Sequence, residues 1–194
     1  MNVLIVALGN PGREYENTRH NIAWMVLDRL SFCRELVWKE KFKGVFASKD
    51  INGTKFYFLK PYTFMNLSGR SVSALMSFYQ IDLKNVVVLH DEMDLPFGTI
   101  AFKEGGGLAG HNGLKSITEN CGGQDFKRIR MGVGRPSVGD SKDWVLSTFN
   151  KNEAIHLDIY LDNAAKAVED SIKLGFSKAA GSYSRKCLVP VADK

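Results

Sequence analysis

Continuous or alternating apolar runs along the chain predict strands, and apolar residues at helical spacing between them predict helices. The runs 4–8 and 86–89 are continuous, which is typical of strands buried on both faces of a sheet. Further strands are predicted near 44–50, 55–60, 99–103 and 126–133. Helices are predicted over 23–30, 72–79, 114–121 and 150–175. Because strands and helices alternate, we predict an α/β sheet covered by helices on both faces.

The C-terminal third carries the clearest helix boundaries. Asn150 is predicted as the N-cap, and Glu153 as the third residue, of a long helix that ends at Gly175. The segment 177–194 has little periodicity, and we expect it to form a partly mobile tail. Neither an internal repeat nor a linker interrupts the pattern, so residues 1–194 are predicted to form a single domain.

Composition narrows the class of protein only slightly. With 194 residues, 44% hydrophobic and 24% charged, the chain is typical of one globular domain. The net charge of +5 is compatible with a polyanionic partner. Three separated cysteines without a CxxC pair favour reduced thiols in a cytoplasm over disulfides or a zinc site. The opening apolar run is too short to cross a bilayer and lacks signal-peptide features, so no membrane association is expected.

Polar clusters follow several predicted strands, and the carboxyl ends of parallel strands converge on one crevice. The segment 10–13 fits a type II turn, in which Asn10 either only starts the turn or holds its amide for a carbonyl. His20 is either structural or a base, since a helix N-terminus disfavours imidazolium whereas a nearby carboxylate favours it. Asp91 follows the strand 86–90 and is either a loop cap or that carboxylate.

Two further clusters also allow more than one interpretation. Asn66 either caps the helix 72–79 or contributes an amide to a site. His111 and Asn112 follow a glycine-rich loop and open a helix, whose backbone N–H groups are expected to face an anion. The segment 90–94 contains four potential metal ligands, but neighbours on a strand point to opposite faces and no zinc-binding spacing is present. We therefore predict neither a metal nor a cofactor.

Three widespread catalytic motifs are missing from the sequence. The glycine-rich loop is not followed by the lysine and hydroxyl residue of a phosphate-binding P-loop. The segment 132–137 lacks the third glycine of a dinucleotide-binding fingerprint. No GxSxG nucleophile elbow is present, so a covalent serine mechanism has no motif behind it.

Taken in order, the polar clusters resemble those of the bacterial peptidyl-tRNA hydrolase family. The similarity covers roughly residues 2–175 and rests on the stretches LGNPG, TRHN, TFMNLSG, HDEMDLP, GGG, GHNGLK and RIRMGVG. The resemblance implies a single-domain three-layer α/β/α sandwich with a mixed, largely parallel twisted sheet. It also implies a monomeric, cytoplasmic, metal-independent enzyme that cleaves the ester between a peptide and the 3′ ribose of tRNA, which recycles tRNA from aborted translation.

The resemblance also implies roles for individual residues. His20 is the implied general base, and Asp91 is the carboxylate that orients it. Asn10 is the preferred residue for contact with the ester carbonyl. The implied substrate-binding residues are Tyr15, Phe64, Met65, Asn66, His111 and Asn112. Lys103 and Arg130 match a basic pair that binds the 5′ phosphate of the tRNA.

The sequence departs from the family pattern at three places outside the implied catalytic residues. Ala101 stands where some relatives carry a lysine, the pair 108–109 replaces a more polar or glycine-containing pair, and Arg135 stands where some relatives carry a histidine. Two alternatives to the tRNA-specific hydrolase are a non-catalytic RNA-binding protein on the same fold and a metal-dependent or serine hydrolase of small esters. The first is disfavoured because every implied catalytic position is filled, and the second has only generic support.

Overall fold

The computed structural model describes residues 1–190, and its strands and helices alternate along most of the chain. The strands are β1 (Asn2–Ala7), β2 (Lys39–Lys41), β3 (Gly44–Ile51), β4 (Thr54–Pro61), β5 (Val86–Glu92), β6 (Thr99–Glu104), β7 (Lys127–Gly132) and β8 (Lys186–Cys187). The α-helices are α1 (Ile22–Leu27), α2 (Ser68–Tyr79), α3 (Asn112–Cys121), α4 (Ser141–Val145), α5 (Lys151–Leu174) and α6 (Phe176–Tyr183).

The strands form one mixed sheet in the order β2-β3-β4-β1-β5-β7-β6-β8. The four central strands, β4, β1, β5 and β7, run parallel, whereas the strands at both edges pair antiparallel. Helices cover both faces, so the predicted three-layer α/β/α class with a mixed sheet is confirmed. The parallel part is confined to the centre, where the two continuous apolar runs form β1 and most of β5.

Two apolar layers fill the space between the sheet and its helices. Alternate residues of β1 show the division, because Ile5 faces α1, α5 and α6 while Leu4 and Val6 face α2 and α3. All three side chains are buried. Since both faces of the central strands are covered, these strands need apolar residues at every position, which explains the continuous runs.

A close crossing of α2 and α3 positions one side of the site. The Gly69 N–H donates to Ser116 Oγ at 2.9 Å, and a Cβ on Gly69 would lie only 2.0 Å from the Ser116 carbonyl oxygen. Only glycine permits this approach. It brings the 3-10 turn Met65–Leu67, which leads into α2, against the start of α3.

The C-terminal part of the described chain consists of α5, α6 and β8. Helix α5 begins with the predicted capping box, in which Asn150 and Glu153 exchange side-chain hydrogen bonds with each other's backbone N–H groups. The segment 177–194, for which partial mobility is predicted, contains most of α6 and the strand β8, which pairs with β6. The last four positions of that predicted tail, 191–194, lie outside the described residues. None of the helices in 1–190 is long and apolar enough to cross a membrane.

Candidate active site

A cleft of about 790 Å³ opens at the carboxyl ends of β1 and β5. Its walls come from six parts of the chain: the turn after β1, the turn before α1, the turn before α2, the end of β5, the start of α3 and the segment around α4. The lining includes eight residues singled out in the sequence: Asn10, His20, Phe64, Met65, Asn66, Asp91, His111 and Asn112. The topology therefore brings together side chains that are up to 102 positions apart in sequence, as expected where parallel strands end side by side.

Asp91 is the centre of the polar network in this cleft. The His20 Nδ1–H donates to the carboxylate, with 2.9 Å to each oxygen, and the His111 Nε2–H donates to Oδ1 at 2.9 Å. Burial by itself opposes ionisation of Asp91, but its interactions with the two histidines hold the pKa of Asp91 far below its usual range. The carboxylate is therefore ionised and accepts from both rings.

The other nitrogen of His111 fixes the protonation of that ring. Nδ1 accepts the backbone N–H of Gly113 at 3.1 Å and of Leu114 at 3.4 Å, so His111 is the N-cap of α3. Since Nδ1 acts as the acceptor, Nε2 carries the hydrogen that reaches Asp91. The expectation that these N–H groups face an anion is thus wrong, because an imidazole nitrogen already occupies them.

The hydrogen bonds of His111 also determine whether the histidines can bind a metal ion. Ligand atoms of His20, Asp91 and His111 lie within 4.8 Å of one another. A metal ligand must offer a lone pair, and Nε2 of His111 carries a proton as long as Nδ1 accepts from the backbone. In this arrangement the cluster is a hydrogen-bonded network and does not fit a divalent ion.

His20 has the geometry of a general base. It lies in the 3-10 turn Arg19–Asn21 that precedes α1, and its side chain is 13% exposed. With Nδ1–H directed at Asp91, the opposite nitrogen, Nε2, is free to accept a proton in the cleft. Burial lowers the pKa of His20, but the charge of Asp91 and the hydrogen bond to it outweigh burial, so the pKa lies above its ordinary value of 6.5.

The side-chain amide of Asn10 is held by a hydrogen bond to its oxygen, while its nitrogen remains available as a donor. Its Oδ1 accepts the Met65 N–H at 2.8 Å, which turns Nδ2 away from that contact and leaves it for the cleft that Asn10 lines. The Asn10 backbone forms two hydrogen bonds with the side chain of Asn21, both at 2.9 Å. Asn21 is fully buried, and it was assigned no role from the sequence. It ties the turn after β1 to the turn that carries His20.

Arg19 is a second residue whose role was missed. Its guanidinium is buried and donates to Ser147 Oγ at 2.5 Å and to Glu153 Oε2 at 2.6 Å. The Cζ atom lies 3.7 Å from the ring centroid of Trp144 in α4. Arg19 therefore joins the turn of His20 to α4 and to the start of α5. Its partners lie 125 to 134 residues away along the chain, beyond the reach of any local sequence pattern.

Of the remaining predicted substrate-binding residues, four line the cleft and one does not. Asn66 and Asn112 are exposed in the cleft lining, and the Asn66 side chain does not cap α2, so the capping interpretation is wrong. Phe64 is exposed at the rim, whereas Met65 is buried in the wall. Tyr15 lies in the turn before His20 but does not line the cleft formed by the described residues.

Lys103 and Arg130 lie outside the cleft, on neighbouring strands β6 and β7. Arg130 Nε donates to Glu92 at 3.1 Å, and Glu92 lines the cleft. Arg128 is directly opposite Lys103 and donates to the carbonyls of Gly105 and Gly107 at 2.7 and 3.0 Å. Partial burial and the charges of Arg128 and Arg130 lower the pKa of Lys103. Three cations are thus held close together at this edge, which favours binding of an anion.

The three departures from the family pattern lie at different places, and only Ala101 is next to the basic pair. Ala101 in β6 pairs with Arg130 in β7. The lysine that some relatives carry at this position would therefore lie next to Arg130, whereas this chain has only a methyl group there. Ala109 adopts a left-handed backbone conformation, with φ of 50°, immediately before Gly110. Arg135 donates to Asp94 at 2.8 Å, which neutralises part of the charge it adds.

A buried carboxylate, a histidine oriented by it and an amide beside it, in a cleft of an α/β/α fold, are typical of one class of protein, the hydrolytic enzymes. Comparison with known proteins identifies the family. The sequence profile described as peptidyl-tRNA hydrolase matches residues 4–189. The chain belongs to the peptidyl-tRNA hydrolase family.

Individual relatives agree with this assignment along nearly the whole chain. The chain is 43% identical to the peptidyl-tRNA hydrolase of Geobacter metallireducens over 190 residues, which covers 97% of this chain and 98% of the relative. It is 41% identical to that of Listeria monocytogenes, with coverage of 94% and 99%. The crystal structure of peptidyl-tRNA hydrolase from Acinetobacter baumannii superposes with a TM-score of 0.85 at 35% identity and covers 95% of each chain.

Proposed function

We propose that the protein hydrolyses the ester that joins a peptide to the 3′ ribose of tRNA, and that it thereby recycles tRNA from aborted translation. The observation that carries this proposal is the His20–Asp91 pair in a cleft lined by amides, in a chain of this family. The three cysteines are free, which supports a reducing compartment such as the cytoplasm. We infer a monomer from the family resemblance, and sedimentation measurements test this.

The reaction needs a water molecule activated next to the ester carbonyl. His20 Nε2 removes a proton from water as the water oxygen bonds to the carbonyl carbon, and Asp91 stabilises the imidazolium that forms. When the tetrahedral intermediate collapses, the bond to the ribose oxygen breaks and His20 returns the proton to that oxygen. The products are a peptide with a free carboxylic acid, which then loses its proton to solvent, and a tRNA with a free 3′ hydroxyl, and His20 is neutral again.

An amide donor stabilises the charge that develops on the carbonyl oxygen. We assign this role to Asn10, a choice supported by the Met65 N–H, which binds Oδ1 of Asn10 and leaves Nδ2 as a donor toward the cleft. A positioned donor of this kind typically contributes about 10²–10³ in rate. Asn66 and Asn112, both exposed in the lining, supply further amides for the peptide backbone and the tRNA 3′ end.

The basic edge supplies recognition of the nucleic acid. Lys103 and Arg130 bind the 5′ phosphate of the tRNA, and Arg128 assists by holding the glycine-rich loop beside them. Glu92 links Arg130 to the cleft wall, which fixes the phosphate site relative to His20 and Asp91. Phosphate contacts position a nucleic acid without reading its sequence, and this suits an enzyme that accepts many tRNAs.

The function is tested by measuring release of the amino acid from an N-blocked aminoacyl-tRNA by wild type and His20→Ala. General-base help is worth about 10²–10⁴ in rate, so we expect kcat to fall by that factor while tRNA affinity is retained. His156→Ala is the matched control, because His156 lies in α5 and does not line the cleft. Tight tRNA binding by wild type without cleavage would instead favour the non-catalytic RNA-binding protein.

A further inference from the structure

A second recess lies beside the cleft at the same edge of the sheet. Its volume is about 570 Å³, and it is lined by Glu40, Lys41, Lys43, Gly44 and Tyr62. The tight turn between β2 and β3 forms one side, and Tyr62, directly after β4, forms the other. The Tyr62 N–H donates to the Lys43 carbonyl at 2.9 Å, so the turn and the end of β4 are held together.

The turn that forms this recess has a strained backbone. Phe42 and Lys43 are both left-handed, with φ of 58° and 55°, at positions where tight hairpin turns favour asparagine and glycine. Phe42 is held in place by Phe46 and Phe78, with ring centroids 5.1 and 5.3 Å away. Lys43 is exposed at the rim of the recess. A strained turn that its surroundings hold in place is a feature of binding sites.

Tyr62 lines the recess and lies two residues before a residue of the catalytic cleft. It is 48% exposed, and Phe64, which lines the cleft two residues later, is 56% exposed. The Tyr62 ring lies 5.6 Å from Trp24, and Trp24 Nε1 donates to the Ala7 carbonyl at the end of β1 at 2.9 Å. The exposed ring is therefore supported by the same strand end that leads to Asn10. Exposed aromatic rings on rigid supports are well suited to contact a ligand.

We propose that this recess is a subsite for the peptide part of the substrate, a proposal that rests on the function proposed above. Three strand spacings of about 4.8 Å separate β5, which carries Asp91, from β3, or about 14 Å in total. An extended peptide covers about 3.3–3.6 Å per residue, so its fourth residue from the ester reaches the recess. The lining contains two lysines and one glutamate, so its net charge is positive and favours an acidic side chain.

The first test varies the length of the peptide on one tRNA. N-blocked peptidyl-tRNAs with one to six residues, all with the same residue at the ester, are hydrolysed by wild type. We expect kcat/KM to rise up to about the fourth residue and then to stay constant. A kcat/KM that is the same for all lengths would overturn the subsite.

The second test varies charge at the fourth residue. Wild type is expected to prefer glutamate over lysine there by about two- to fivefold in kcat/KM, the range expected for exposed charges, and Lys43→Glu is expected to reverse the preference. Lys84→Glu is the matched control, since it makes the same change of charge at the opposite end of the sheet, where Lys84 precedes β5. Melting temperatures of both variants check that the fold is retained. An unchanged preference in folded Lys43→Glu would contradict the proposal.

Failure of the subsite is distinguishable from failure of the proposed function. The substrate with a single N-blocked residue does not reach the recess, so its cleavage depends only on the catalytic cleft. If it is cleaved but neither length nor charge matters, the subsite is wrong and the hydrolase remains. If no substrate of any length is cleaved, the proposed function itself is wrong.

Discussion

The catalytic corner around Asp91 and the basic edge around Arg130 lie on neighbouring strands, yet they are built differently. At the corner, a buried carboxylate accepts from two histidines, and one of them, His111, also accepts a backbone N–H of α3. At the edge, three cations lie near one another and only Arg128 is buried. A single carboxylate, Glu92, joins the two regions, since it holds Arg130 and lines the cleft.

This difference matches what each region has to do. Proton transfer from water requires a base within a few tenths of an ångström of its place, and buried hydrogen bonds with defined donors provide that. Attraction of a tRNA acts over several ångströms and depends on the number of charges more than on their exact geometry. Changes at the corner should therefore reduce kcat, whereas changes at the edge should weaken affinity in a salt-dependent way.

Replacing the central carboxylate gives the largest effect that separates the two regions. Asp91→Asn keeps the shape of the side chain but removes the charge that orients His20 and stabilises its protonated form. We expect kcat to fall about 10²–10³-fold with little change in tRNA affinity, measured by single-turnover hydrolysis and by filter binding. A loss confined to affinity would show that Asp91 belongs functionally to the basic edge.

The same variant has a defined effect on the pH profile. His20 must be neutral to act as a base, so kcat/KM rises with pH through its pKa. In the wild type, burial lowers the pKa of His20, but the charge and hydrogen bond of Asp91 raise it above 6.5. Without that charge the pKa falls, so the rising limb of the residual activity is expected at lower pH in Asp91→Asn. If the rising limb occurred at the same pH in Asp91→Asn as in wild type, a group other than His20 would determine the pH dependence of kcat/KM.

The contrast between the regions also explains which parts could be predicted from the sequence. Continuous apolar runs and the capping box at Asn150 are local patterns, and they gave the central strands and the start of α5. The convergence of Asn10, His20 and Asp91 followed from their places at the ends of parallel strands. The order of the strands, by contrast, depends on long-range pairing, so neither the short strand β8 nor the antiparallel edges could be read from periodicity.

Residues whose role depends on distant partners were the ones missed. Arg19 and Asn21 occur in the same motif as His20, but the motif does not indicate their partners. Arg19 binds side chains within 147–153, and Asn21 binds the backbone of the turn after β1. His111 was assigned to the substrate, whereas its two nitrogens connect Asp91 with the backbone of α3. A histidine directly before the first turn of a helix gives no sign that its ring caps that helix.

Arg19 provides a test of whether the corner depends on its surroundings. Arg19→Met keeps much of the length but leaves Glu153 without its buried partner, so we expect a loss of about 2–4 kcal/mol in the free energy of unfolding. Arg19→Lys keeps the positive charge but lacks the several planar N–H donors of a guanidinium. We therefore expect it to retain only part of the stability that Arg19→Met loses. Urea unfolding with and without each substitution measures the effect. Equal stability of all three proteins would rule out Arg19 as the link between His20 and α4.

The basic edge is tested by the salt dependence of binding. Arg130→Ala is expected to weaken tRNA binding and to lower the slope of log affinity against log salt by about one, because one phosphate contact is lost. Hydrolysis of a short peptidyl-nucleotide without a 5′ phosphate should be unchanged. Arg29→Ala is the matched control, since Arg29 pairs with Asp158 and Asp162 on the surface away from the cleft. Equal losses on the short and full-length substrates would contradict a phosphate clamp.

The smallest expected effect is a pH dependence of stability that belongs to the corner alone. Burial lowers the pKa of His20, but Asp91 raises it above 6.5 on balance, so this pair stabilises the fold fully below 6.5 and the contribution is lost as pH rises through the folded-state pKa. The melting temperature of wild type should therefore exceed that of His20→Gln by more at pH 5.5 than at pH 8.5, by roughly 1–2 °C. Arg130→Ala should differ from wild type by the same amount at both pH values, because a guanidinium stays charged throughout. If both variants showed the same trend with pH, the histidine and its carboxylate would not be the coupled unit that separates this corner from the edge.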